Sequence, residues 1–402
     1  EGAGLEHGFG APAMAVDLGL QVNASKLPQP MLDIFMGDDF AAKQAALNDP
    51  MAARMLMQAD AVVGVKARFE DPNDPMRVTE LGLTCAVCHV TVSKTPVQLA
   101  EGEAPVDLPI GMPVFGPPNT RLNASGLLSA SPALPVERNG RDATLAELDW
   151  PRGSADPRFF PNNPFDDDAI NPTSIPPHWN FLDLAEQSYA VTWNGVIQSR
   201  PGNDAIAAAA ECGIDLVMGA NGAFGTSLPQ VLQAGSSNSA AITNFEIGND
   251  LPQEFWDRLA VAEIEEPGNE VSEANLLDVQ AFLQSIVSPP PGPFDEAKAE
   301  QGMELFFGKA NCVACHNSAE GTGAEGQYFT NITEQAPTGL LALGIKTPGL
   351  RGLAFTAPYF HDGSAATLEE VVARYTSEDI PEVPSYLTAG EQAAIVEYLK
   401  SL

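Results

Sequence analysis

Positive charge is what this chain has least of. Its 402 residues carry 20 Lys and Arg against 53 Asp and Glu, a formal net charge of −33. Such a field repels phosphate backbones and anionic bilayers, which excludes nucleic acid as a partner. It suits a cationic protein partner, or it serves solubility in a salty habitat. No apolar run approaches the ~20 residues needed to span a bilayer. Aromatic residues are only 7% of the chain, although hydrophobic residues reach 44%. A core of this size with few rings leaves room for another apolar filler. Gly 35 and Pro 34 are plentiful, so much of the chain is expected to be loop.

Cysteine is scarce too, and its placement is informative. Four of the five cysteines lie in Cys85-Ala86-Val87-Cys88-His89 and Cys312-Val313-Ala314-Cys315-His316. Each segment reads C-x-x-C-H, the attachment signature of a c-type haem. Two thiols at this spacing add across the two vinyl groups of one porphyrin, and the adjoining His is held under the iron. A redox C-x-x-C or half of a zinc site are the rival readings. Zinc needs two further ligands, and neither copy has a second Cys or His pair nearby. Two covalently bound haems are therefore expected, with His89 and His316 as axial ligands. Haem attachment takes place outside the bacterial cytoplasm, so an exported, periplasmic or extracellular protein is expected. The cationic partner would then be a small electron-transfer protein. Cys212, which follows an Ala-rich run, reads as a buried small hydrophobe.

The order of segments predicts a mainly α fold with two cytochrome c-like haem domains. An N-terminal haem domain is expected over residues 1–287. Its opening arm is Gly-rich, and Met51 to Val63 has apolar residues at helical spacing, with methionines as core filler. From about 90 to 177 periodicity gives way to Pro, Asn, Gly and Asp, a long loop insertion of the kind that wraps a cofactor or shapes a pocket. Ser288-Pro289-Pro290-Pro291-Gly292-Pro293 is a stiff linker, and residues 294–402 form the C-terminal domain. There Asp295 caps an entry helix, and Thr388-x-x-Glu391 is a capping box for the closing helix.

The second haem lacks one common partner. No methionine follows His316, the last being Met303, and the one downstream His is His361. Thr367-x-x-Glu370 starts a helix on which Leu368, Val371, Val372 and Tyr375 share one face. Tyr375 on that face is either an iron ligand or a core tyrosine bonded to a carbonyl.

Three C-terminal segments carry a family resemblance. They are Thr347-Pro348-Gly349-Leu350-Arg351, Thr356-Ala357-Pro358-Tyr359-Phe360-His361-Asp362-Gly363-Ser364, and Ala366-Thr367-Leu368-Glu369-Glu370-Val371-Val372. Together they closely resemble the bacterial dihaem cytochrome c peroxidase and MauG family. The resemblance implies that Tyr375 is the sixth ligand of the His316 haem, where the peroxidases have Met and MauG has Tyr. Rubber oxygenases, more distant relatives, use the His of a similar segment, which makes His361 the alternative. Asn171-Pro172-Thr173 and Thr192-Trp193-Asn194-Gly195 resemble two further family segments, and imply that Trp193 relays electrons between the haems. Thr356 and Pro358 match carbonyl ligands of the family's calcium ion, with Asn171 one position away from its asparagine.

The departures concern the chemistry. Val217 of Val217-Met218-Gly219 stands where the family has its catalytic Glu, and Glu211 and Asp215 are the nearest acids that would replace it. The resemblance implies an oxidoreductase reacting with peroxide or oxygen at the His89 haem and relaying electrons through Trp193 to the His316 haem. The alternatives are a dihaem oxygenase acting on an organic substrate, and a dihaem electron carrier with no enzymatic role.

Overall fold

The computed structural model describes residues 10–129, 150–155, 172–180, 281–317, 345–377 and 386–402, together with 137–138, 141–142, 189–190, 198–199, 278 and 329–330. Their contacts divide into two compact units. One contains the described residues up to 129 with 150–155 and 175–177; the other contains 137–138, 141–142, 172–174, 178–180 and the described residues beyond.

The N-terminal unit opens with four short helices, α1 (Pro12–Asp17), α2 (Gln29–Met36), α3 (Phe40–Asn48) and α4 (Pro50–Gln58). Side-chain caps set two of the starts. Asp39 accepts from Ala42 N at 3.0 Å, and Asp49 accepts from Met51 N at 2.9 Å with Pro50 in the first turn. Leu56 and Met57 are buried, so the methionine-rich run does fill core. The helix nevertheless stops at Gln58 rather than reaching Val63. Asp60 takes a left-handed conformation there and is clasped by Lys26 and Lys66. Partial burial works to raise the Asp60 pKa, but the hydrogen bonds and charges of the two lysines leave it below the ordinary value.

A β-hairpin follows directly on the Met51 to Val63 run. Strands β2 (Val65–Asp71) and β3 (Asp74–Leu83) pair antiparallel, with register shifts between Arg68 and Phe69 and between Phe69 and Asp71. The turn is made by Asx bonds, Asp71 accepting from Asn73 N and Asp74 from Met76 N, each at 2.9 Å. Short pairings then organise residues expected to be loop. Strand β1 (Val22–Asn23) runs parallel to β7 (Ile110–Gly111), β4 (Val90–Val92) antiparallel to β8 (Pro113–Phe115), and β5 (Thr95–Val97) antiparallel to β6 (Val106–Leu108). The unit is thus mixed, and the mainly α expectation understates its strands. Helix α6 (Ala124–Ser129) ends this run, and the unit's core joins Leu20, Leu56, Met57, Val65, Val87, Leu122 and Ile175.

In the C-terminal unit α7 (Glu296–Phe307) and α9 (Ala389–Lys400) cross, with α8 (Leu368–Ser377) beside α9. Asp295 caps α7 by accepting from Lys298 N at 3.2 Å, as expected. Thr388 and Glu391 form the expected capping box. The Phe306 and Tyr398 rings meet edge-on at 5.2 Å, over a core of Leu353, Leu368, Val372, Ile395 and Leu399. The first residue of the Pro-rich segment is fastened. Asn180 Oδ1 accepts from Ser288 N at 2.9 Å, and Asn180 N donates to Ile286 O at 2.9 Å. Among the described residues no helix is long and apolar enough to cross a membrane.

Candidate functional site

The first C-x-x-C-H leaves β3 and closes at once into a single helical turn, α5 (Ala86–His89). His89 N donates to Cys85 O at 2.9 Å. Three residues apart on one turn, the two cysteines stand on the same face. The turn is held from several sides. Gly64, at φ +76°, lies so close that a Cβ there would be 2.1 Å from Val87 N, and Gly64 O accepts from Thr84 N. Asn119 is buried, and its amide donates to Val87 O at 3.0 Å and Gly19 O at 2.9 Å, while its own N–H donates to Cys88 O at 2.7 Å. The Gln21 side chain, also buried, donates to Val90 O and accepts from Val92 N, fixing the strand that leaves His89.

The His89 ring is set by a residue far along the chain. Its Nδ1 lies 3.0 Å from the carbonyl oxygen of Pro176. A carbonyl only accepts, so Nδ1 carries the proton and Nε2 is the nitrogen that presents a lone pair. Burial holds the His89 pKa down to about 4, with the Pro176 bond opposing it, so the ring is neutral near pH 7. A neutral imidazole with Nδ1–H anchored on a carbonyl is what a haem iron ligand requires. Cys88 is likewise a protonated thiol, burial and then the Cys85 charge raising its pKa to about 12.

The second motif repeats the turn. Cys312–Ala314 form a 3-10 turn entered through Asn311 at φ +51°, and His316 N donates to Cys312 O at 3.0 Å. The His316 ring packs against Phe306 with centroids 6.3 Å apart. Burial raises the Cys312 thiol to about 11. Both motifs therefore fit a thioether-linked haem. Among the described residues no group of three or more His, Cys, Asp or Glu is placed to hold a metal ion.

Of the two candidate sixth ligands, Tyr375 is half-buried on α8 and packs against Phe360 at 6.1 Å between ring centroids. His361 follows Phe360 directly in the chain. Arg374 lies 4.5 Å above the Phe360 ring and donates to Ser364 Oγ. Ser174 fixes the same loop, its N donating to His361 O at 2.6 Å and its Oγ to Phe360 O at 2.9 Å. Burial lowers the His361 pKa. Thr356 and Pro358 lie just before this loop, after the short turn Leu353–Phe355. Asn171, Trp193, Glu211, Asp215, Cys212 and Val217 lie outside the described residues.

Pro176, Asn119, Gln21 and Gly64 escape sequence reasoning. Asn119 lies within the expected loop insertion, and its side chain is spent on backbone carbonyls. The Pro176-Pro177 pair was the one local sign that a fixed backbone is needed there.

Residues 299–402 match the cytochrome c family model, which establishes a cytochrome c domain with covalently bound haem c. Part of the chain is similar to the methylamine utilization protein MauG of Methylorubrum extorquens, 32% identical over 147 residues, covering 30% of this chain and 41% of that protein. A cytochrome-c peroxidase of Pseudomonas sp. (strain SCT) is 31% identical over 144 residues, covering 26% of this chain and 39% of the relative. The cytochrome c peroxidase of Escherichia coli (strain K12) is 28% identical over 148 residues, covering 28% and 31%. The chain spans about two fifths or less of the length of these curated relatives.

Proposed function

We propose that this chain, a divergent relative of the MauG and dihaem cytochrome c peroxidase proteins, is an exported two-haem oxidoreductase that reduces peroxide at the His89 site. The observation that carries the reading is the His89 Nδ1 to Pro176 carbonyl bond, which readies Nε2 beside two cysteines on one turn. Bound there through Cys85 and Cys88, a haem supplies an iron centre that exchanges electrons one at a time. Peroxide reduction to two waters consumes two electrons and two protons. Glu211 or Asp215 moves a proton between the peroxide oxygens, a role worth about two to four orders of magnitude. Trp193 passes electrons between the second haem, which Cys312, Cys315 and His316 would hold, and the His89 haem, where peroxide consumes them. Tyr375 is its sixth ligand and favours the oxidised iron, with His361 as the alternative. A cationic electron-transfer protein delivers the electrons, and a calcium ion on Asn171, Thr356 and Pro358 belongs to the same reading. Residues 1–287 and 294–402 are its two haem domains.

Electron paramagnetic resonance of the oxidised protein tests this. One high-spin and one low-spin haem, with optical changes on peroxide titration, are expected. Two low-spin haems and no reaction with peroxide overturn the reading. Val217 in place of the family's Glu favours a second reading, a dihaem oxygenase; turnover of an organic substrate with oxygen and none with peroxide would select it.

A further inference from the structure

The bond that orients His89 closes a circuit whose other hydrogen bonds all run from backbone to backbone. Cys88 O accepts from Asn119 N at 2.7 Å, Asn119 O from Leu122 N at 3.1 Å, Leu122 O from Gly153 N at 2.8 Å, and Gly153 O from Ile175 N at 2.9 Å. Ile175 is joined to Pro176, whose carbonyl accepts from His89, the neighbour of Cys88. Leu122 and Ile175, both buried, pin the circuit to the core. Two positions control its geometry. Gly153 sits at φ +74° with the place of a Cβ only 2.8 Å from Thr120 Cα, so only glycine brings residues 153 and 120 together. At the far end, the Pro176 ring fixes φ, and Pro177 confines the residue before it to extended ψ, which aims the Pro176 carbonyl. Two consecutive prolines thus hold a carbonyl whose sole described partner is the His89 ring.

We propose that Pro177 and Gly153 are positioning residues that set the strength of the His89 Nδ1–H bond and, through it, the basicity of His89 toward the iron. The inference rests on the reading that His89 ligates a haem. A firm Nδ1–H bond gives the imidazole more anionic character and stabilises ferric over ferrous iron. Loosening the carbonyl raises the reduction potential without removing any group that touches the haem.

The experiment uses the haem-loaded full chain. Spectroelectrochemistry and resonance Raman spectra of the reduced protein are compared for the unmodified chain, Pro177→Ala, Gly153→Ala and Gly126→Ala. Gly126→Ala crowds the Asn123 side chain but leaves the circuit intact, so it controls for general loosening of the unit. Pro177→Ala is expected to change the ferric-to-ferrous ratio of the His89 haem about tenfold, an upward shift of about 59 mV for one electron. Its iron–histidine band should fall in frequency while the His316 haem and the Gly126→Ala control stay put. Gly153→Ala should shift the same way with a lower melting temperature; if it fails to fold, Pro177→Ala decides alone. An unchanged potential and band in haem-loaded Pro177→Ala, or an equal shift at both haems, overturns this inference only. An unmodified chain with no His89-ligated haem overturns this inference and the haem-site reading with it.

Discussion

Gly302 of α7 and Ala394 of α9 are in backbone-to-backbone contact: a Cβ on Gly302 would stand 2.0 Å from the Ala394 carbonyl oxygen. That approach brings Phe306 against Tyr398, and Phe306 in turn packs on His316. Gly302→Ala must push the helices apart, with a cost of about 1–3 kcal/mol. Thermal denaturation should show the lower melting temperature, and the His316 haem should lose its native spectrum at the same transition.

Gly64→Ala strikes the first haem motif directly, since the new methyl meets Val87 N at 2.1 Å and the φ of +76° disfavours any side chain. Haem content by intact mass should fall by one haem, with Cys85 and Cys88 left unmodified. Loss at Cys312 and Cys315 instead would contradict the placement of Gly64.

Asn119→Ala leaves the buried carbonyls of Val87 and Gly19 without their donor. The expected loss is about 3 kcal/mol. Denaturant titration followed at the His89 haem should report it. Asn119→Asp should not rescue, because a carboxylate cannot donate to either carbonyl.

Tyr375→Phe keeps the packing on Phe360 and removes only the phenol. If Tyr375 binds iron, the low-spin spectrum changes and peroxide-driven oxidation of the second haem falls. An unchanged spectrum passes the ligand role to His361, to be checked with His361→Gln.

Glu391 gives a pH signature. The Lys309 ammonium, at 2.7 Å, and the Thr388 N–H and hydroxyl bring its pKa from 4.5 to about 2. A carboxylate depressed in the folded state stabilises fully above its unfolded pKa and loses that contribution as pH falls through the folded one. Between about pH 4.5 and 2 the melting temperature of the unmodified protein should fall more steeply than that of Glu391→Gln.

Local signals read true and distant ones did not. Asp295 and the Thr388–Glu391 box mark helix starts within three or four residues of chain, and both motifs announce their turns by spacing alone. The first strand of the hairpin does carry a strand signal, Val65, Ala67 and Phe69 alternating with Lys66, Arg68 and Glu70, but its partner, Asp74–Leu83, is mostly exposed with Val78 as its one buried residue and shows no such period. The strand pairs between Val90 and Phe115 are three residues long, and the pair that joins Val22 to Ile110 is two residues long, too short for a period to show. His89 and Pro176 are 87 residues apart, beyond any local pattern.

The Asn180 clasp on Ile286 and Ser288 changes what the Pro-rich segment can be. With Ser288 fastened, the span left to act as a spacer begins at Pro289, and its prolines have little freedom in φ. At about 3.1 Å per residue, Pro289 to Pro291 advance the chain by roughly 9 Å in one direction. Gly292, the residue after the three prolines, is the first that is free of a ring's constraint on φ.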